Sequence, residues 1–252
     1  MRRFLCLAGF LLSLSWVVSA QPPIEVIYLN PSDVASPTEA DINSLREVMV
    51  AVQTFFASEM ERYGFGPKTF DFNPDIKVIM GREKAAAYDN VAVIRNEVHR
   101  LDYSVPNKID VVFLAGKKDI LNKRASGVMN ALCWRQPGED SEDCNYLGVI
   151  ALENPFYFLP VVAHEIAHAF KIDHSPDTLP GRVNLMNAPH TVQIGVREDL
   201  SKYGIRREDA AFLNEDGRLS IQQSTLTTSD DQNYIQLTFS VERGDAIKPI
   251  NR

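Results

Sequence analysis

Apolar residues recur at steps of three and four through Ile42, Leu45, Met49, Val52, Phe56 and Met60, which draws one stripe along a helix. The start is signposted by Ser36 as cap, Pro37 at the first helical position and Glu39 three residues after the serine, the pattern of a capping box. Gly64 supplies the stop. Around this helix lie short β-branched runs that predict strands: IEVIYLN (24–30), IKVIM (76–80), IDVVFLAG (109–116) and LGVIAL (147–152). The third is apolar apart from Asp110, as a strand covered on both faces would be. EKAAAYDNVAVIRNEVHRL (83–101) predicts a second helix, broken near Asp89 and Asn90. Strands alternating with helices imply a largely parallel sheet. Residues 117–146 are polar, contain two cysteines and predict a long loop, of the kind that is functional or stapled.

Behind the last strand comes VVAHEIAHAF, a breaker-free segment that Pro160 can start as a helix. After Met186 the pattern weakens to a short helix over 206–216. From Arg218 two alternating stretches, RLSIQQSTLT and YIQLTFSV, flank the turn-like TSDDQN. They read as a hairpin-like tail over 218–252, or as the start of a small second module.

Residues 1–20 change the picture of where the chain works. Arg2 and Arg3 precede an apolar run that ends in the small residues Ser19 and Ala20, which is the pattern of a secretory signal peptide. The expectation is a secreted protein, extracellular or periplasmic, with no membrane insertion in its mature form, since no later run approaches the roughly 20 apolar residues a span needs. The whole chain carries a net charge of −7, and losing Arg2 and Arg3 takes it to −9. Such a surface is a poor partner for nucleic acid. The mature chain keeps Cys133 and Cys144, which an exported protein most simply pairs as a disulfide, worth roughly 2 to 4 kcal/mol if unstrained. The 143 residues between Ala20 and His164 leave little room for a long inhibitory propeptide.

The candidate chemistry lies in HEIAHAFKIDH (164–174), which holds three of the five histidines. On a helix, positions four apart share a face, so His164 and His168 can direct two ring nitrogens to one zinc. Glu165 is turned about 100° from the first histidine, placed to act on a water at the metal rather than to ligate it. That division of labour is the content of HExxH. The third ligand stays open on spacing alone between His174, Asp173 and a more distant glutamate.

With its third histidine and a methionine twelve residues further on, the segment resembles the metzincin metallopeptidases, whose motif is HExxHxxGxxH followed by a Met-turn. The resemblance implies His164, His168 and His174 as zinc ligands, Glu165 as general base and Met186 in NLMNA as the Met-turn methionine. Ser175 after the last histidine is similar to the matrix metalloproteinases. It implies an α+β, zincin-like fold: a twisted, mostly parallel sheet, an active-site helix and a small C-terminal subdomain, with the catalytic domain over 21–217. Lys171 departs from the motif glycine, at a point where the chain must leave the helix in a left-handed conformation.

The expected activity is that of a zinc endopeptidase acting on a polypeptide substrate through zinc-bound water, with Glu165 as base. The alternatives are a non-catalytic binding protein that keeps a metzincin shell, or a zincin with another third ligand. The resemblance also implies that a substrate strand adds to the sheet edge above the helix. LGVIAL is the candidate, with a plain core strand the equal reading. His99 and His190 read as solvated or structural histidines. The acidic run EDSED (139–143) offers oxygen ligands for calcium but reads better as a solvated loop.

Overall fold

The computed structural model describes residues 23–98, 108–121, 126–135, 142–153, 158–187, 200–216, 219 and 221–222. The leader, His99, His190, residues 139–141 and the tail beyond 222 lie outside the described residues.

A five-stranded sheet organises the molecule. It consists of β1 (Glu25–Asn30), β3 (Lys77–Met80), β4 (Ile109–Leu114), β5 (Gly127–Arg135) and β6 (Glu142–Ala151), in the order β3-β1-β4-β6-β5. The first four in that order run parallel, and β5 closes the sheet as an antiparallel edge. The expected fold class, a mostly parallel sheet flanked by helices, is the one found. Two-residue ladders join β2 (Lys68–Thr69) to β9 (Ile221–Gln222), and β7 (Val183–Asn184) to β8 (Tyr203–Gly204). The beginning of the tail is therefore bonded to the domain. No helix among the described residues is long and apolar enough to cross a membrane.

Alternation along the strands feeds two cores, as period-two side chains must. Val26, Tyr28, Val111 and Phe113 face α1 (Glu39–Arg62) and α3 (Phe158–Ala169), while Ile27, Leu29, Val112 and Leu114 face α2 (Val91–Val98) and the 3₁₀ turn Ala85–Asp89. The second helix breaks at Asn90, whose carboxamide accepts from the Ala92 N–H at 2.8 Å. The fourth helix, α4 (Arg207–Asp216), packs on the α1 side.

All six stripe residues of α1 are buried, but its start differs from the expected one. Thr38 is the cap: its hydroxyl accepts from the Asp41 N–H, and the Asp41 carboxylate accepts from the Thr38 N–H at 2.7 Å. Two overlapping boxes are written into this stretch, and the frame that begins at Thr38 places Pro37 outside the helix. The end is as expected. Gly64 has φ +85°, and the Phe65 N–H closes on the Met60 carbonyl at 3.1 Å.

The larger correction concerns 117–146. This is not one loop, because it holds β5 and the first half of β6. Consequently the LGVIAL stretch lies between β4 and β5. It is a core strand, and the free edge belongs to β5. Cys133 stands directly opposite Cys144 across this hairpin, and the two are disulfide-bonded.

Candidate metal centre

Helix α3 is long enough for three turns and carries Pro160 in its first one, where the missing N–H costs no intrahelical bond. Its inner face, Val162, Ala163, Ile166, Ala167 and Ala169, is buried. The helix ends in a Schellman turn. The Ile172 N–H reaches back to the Ala167 carbonyl at 3.1 Å and the Lys171 N–H to that of His168 at 2.9 Å. Lys171 takes the left-handed position with φ +63°, at a cost of about 1 to 2 kcal/mol. The lysine thus does what the motif glycine would do, and the chain turns sharply enough to return His174 to the helix.

His164, His168 and His174 form a group whose candidate ligand atoms converge. Their Nε2 atoms make a triangle with sides of 3.0, 3.1 and 3.2 Å. The tautomers follow from the outer nitrogens. Nδ1–H of His164 donates to the Leu185 carbonyl and Nδ1–H of His168 to the Ile172 carbonyl, each at 2.8 Å. A carbonyl can only accept, so both protons sit on Nδ1 and both Nε2 atoms present bare lone pairs. Burial pushes the His164 imidazole down to about 4, against the Leu185 bond, which favours the charged form; burial likewise lowers His168. Two lone pairs 3.1 Å apart cannot bond each other. A shared cation would satisfy both, and four ligands around zinc at 2.0–2.1 Å stand about 3.3 Å from one another. The donor set and its spacing fit zinc. Asp173 is exposed and stands outside this group.

Glu165 is buried on the side of α3 that faces β5. Burial raises its carboxyl to about 8, although the Met129 backbone N–H, which it accepts, favours the anion. The Ser126 carbonyl bonds toward β6, so by alternation the backbone groups of Gly127 and Met129 point to the free edge. Gly127 makes room here. A Cβ on it would stand 2.6 Å from Val161 Cγ1 and 2.9 Å from Glu165 Cγ.

Met186 is fully buried in the turn after β7. The same turn carries residues that reading the sequence missed. Asn184, buried, bonds both the His174 loop and the Met186 N–H. Behind it Arg182 forms a bidentate pair with Glu59 of α1 at 2.6 and 2.8 Å. Glu59 follows Phe56 by three positions on the apolar stripe, and a charge on that face was the available signal. Gly127 gives no signal in one sequence. The candidate pocket residues from Ala188 onward lie outside the described residues.

No family model matches the sequence, and no curated protein matches it. The backbone is similar to solved structures. Wild-type OgpA from Akkermansia muciniphila superposes with a TM-score of 0.51 at 16% identity, over 79% of this chain and 62% of that one. Catalytically inactive OgpA, in complex with an O-glycopeptide (glycodrosocin) substrate, gives 0.50 at 15% identity, over 79% and 61%. Metalloproteinase-II from Bacteroides fragilis gives 0.45 at 15% identity, over 79% and 54%. At these identities the likeness is one of fold, and the chain spans about three fifths of the length of OgpA. The fold is similar to that of OgpA.

Proposed function

We propose that this chain is an exported zinc-dependent endopeptidase. The observation that carries the reading is the triangle of three Nε2 atoms, two of them bare lone pairs by their outer hydrogen bonds, on a helix that also carries Glu165 against the sheet edge. His164, His168 and His174 would hold the ion. Zinc, when bound, would supply a Lewis-acidic positive charge to the site.

The protein's own residues do the rest. An extended polypeptide adds to the free edge of β5, using the outward backbone groups of that strand. Glu165 takes a proton from the attacking water as the oxygen–carbon bond forms, then returns it to the amide nitrogen as the carbon–nitrogen bond breaks. The O-glycopeptide complex of OgpA supports a polypeptide as the class of substrate. Export is supported by the pattern of residues 1–20 and by the Cys133–Cys144 bond.

The test is metal analysis combined with digestion of an unstructured protein and of an O-glycosylated peptide, by wild type and by Glu165→Gln. One zinc per chain is expected in both forms, with cleavage by wild type falling about 10² to 10⁴-fold in the variant. Zinc without cleavage in the wild type would instead support a binding protein. Absence of metal would refute the reading.

A further inference from the structure

Of the three imidazoles, His174 alone stands off the helix, in the irregular stretch 172–178. Something must hold that stretch in register with α3. The Ser175 N–H, next to His174, donates to the Met186 carbonyl at 2.9 Å. On the other side of the same residue the Asn184 Nδ2 donates to the Ser175 carbonyl at 3.3 Å and to the Asp177 carbonyl at 2.9 Å. Asn184 Oδ1 in turn accepts from the Met186 N–H at 3.1 Å. The residue between, Leu185, presents the carbonyl to which His164 donates. One buried carboxamide therefore uses both donors and its acceptor to lock the third-ligand loop onto the turn that orients the first ligand.

We infer that Asn184 is the positioning residue of the metal centre: it acts through His174, setting where that imidazole stands relative to the pair on the helix. The inference rests on the three-histidine zinc reading. It goes beyond that reading by assigning metal affinity to a side chain that touches no metal.

Asn184→Asp keeps the shape and the acceptor but replaces the donors by a carboxylate oxygen facing two carbonyls. Zinc affinity, measured by competition with a chromophoric chelator, is expected to fall about 10 to 100-fold. The d–d spectrum of the cobalt-substituted protein is expected to shift toward that of His174→Ala. Because the effect passes through His174, Asn184→Asp should cost no further affinity when His174→Ala is already present. Asn184→Ser, which keeps a donor on a smaller side chain, is run beside it and decides the matter if the aspartate variant does not fold.

Tyr88→Phe is the control for destabilisation alone. It deletes a buried hydroxyl bonded to Glu97 on the opposite face of the sheet, and should lower thermal stability with zinc affinity unchanged. Wild-type affinity and spectrum in the Asn184 variants, or an equal further loss in the His174→Ala background, overturns the inference. A wild-type chain that binds no zinc overturns instead the reading on which it rests.

Discussion

The Nδ1–H of His168 donates to the carbonyl of Ile172 at 2.8 Å, so the residue that closes the helix also orients a metal-facing imidazole. The two are four positions apart, and only the left-handed step at Lys171 (φ +63°) brings them together. The lysine carries backbone strain there. Lys171→Gly should raise the stability of the folded protein by about 1 kcal/mol, the relieved strain exceeding the added chain entropy. Zinc affinity should not change. Lys171→Val, β-branched, should do the reverse and also weaken zinc binding, because the turn that holds Ile172 opens. Denaturant midpoints and chelator competition check both; a loss of stability in the glycine variant contradicts this account.

Gly127 and Glu165 are packed so closely that the strand has no room for a side chain at this point. Gly127→Ala places a methyl 2.9 Å from Glu165 Cγ and 2.6 Å from Val161 Cγ1, and overpacking of this order costs about 1 to 3 kcal/mol. The carboxylate must yield, because β5 is held by β6 along its full length. Peptide hydrolysis should fall about 10 to 100-fold through kcat, as a displacement near 1 Å can produce. Zinc content should stay at the wild-type level. Steady-state kinetics on the zinc-loaded variant decide it, and an unchanged kcat would show that Glu165 has slack.

How much of this was legible in the sequence differs by element. The α1 stripe and the HExxH helix announce themselves because each keeps one helical period over its length, and β4 because it is a β-branched run apolar apart from Asp110. β5 does not. It is an edge strand that begins at Gly127 and carries Asn130, with one rim open, so neither burial nor alternation marks it and its sequence reads as loop. With β5 unmarked, the sequence leaves β6 open between edge and core strand, and the fold places it in the core. The three histidines and Glu165 could be read because their chemistry demands those residue types at fixed spacing. Asn184, Arg182 and Glu59 serve the site from a distance: Glu59 is 123 positions from Arg182, and only the folded chain shows that they meet.

That long-range pair yields a stability prediction. Glu59 and Arg182 have side chains exposed by only 1% and 16%, and Glu59 also accepts from the Ile205 N–H at 3.2 Å. Removing one partner of a buried pair strands the other charge and costs about 3 to 5 kcal/mol. Arg182→Met leaves Glu59 paired with Arg62 at 3.2 Å and should therefore destabilise by less than that amount, about 1 to 3 kcal/mol, whereas Glu59→Met together with Arg182→Met should cost clearly less than the two single changes added. Urea unfolding of the four proteins tests the coupling. Strict additivity would mean that the pair contributes no interaction of its own.

The pH dependence of the metal-stripped protein follows from the buried groups of the centre. Glu165 is raised from 4.5 to about 8 by burial, so between those values the folded chain keeps a proton that the unfolded chain has released. Its contribution is full below pH 4.5 and is lost as pH rises toward 8. His164 is lowered from 6.5 to about 4 by burial, so its contribution has the opposite slope, growing as pH rises from 4 to 6.5; His168 shifts in the same direction. The two effects oppose each other below pH 6.5, and above it, of these groups, Glu165 alone still changes the slope. Thermal stability of the apo protein should therefore decline from pH 6.5 to 8. Glu165→Gln, which has no proton to lose, should flatten that decline. Melting curves of both proteins at half-unit pH steps, recorded with chelator present, decide the point, and an apo wild type whose stability rises across pH 6.5 to 8 would show that the carboxyl is ionised in its buried seat.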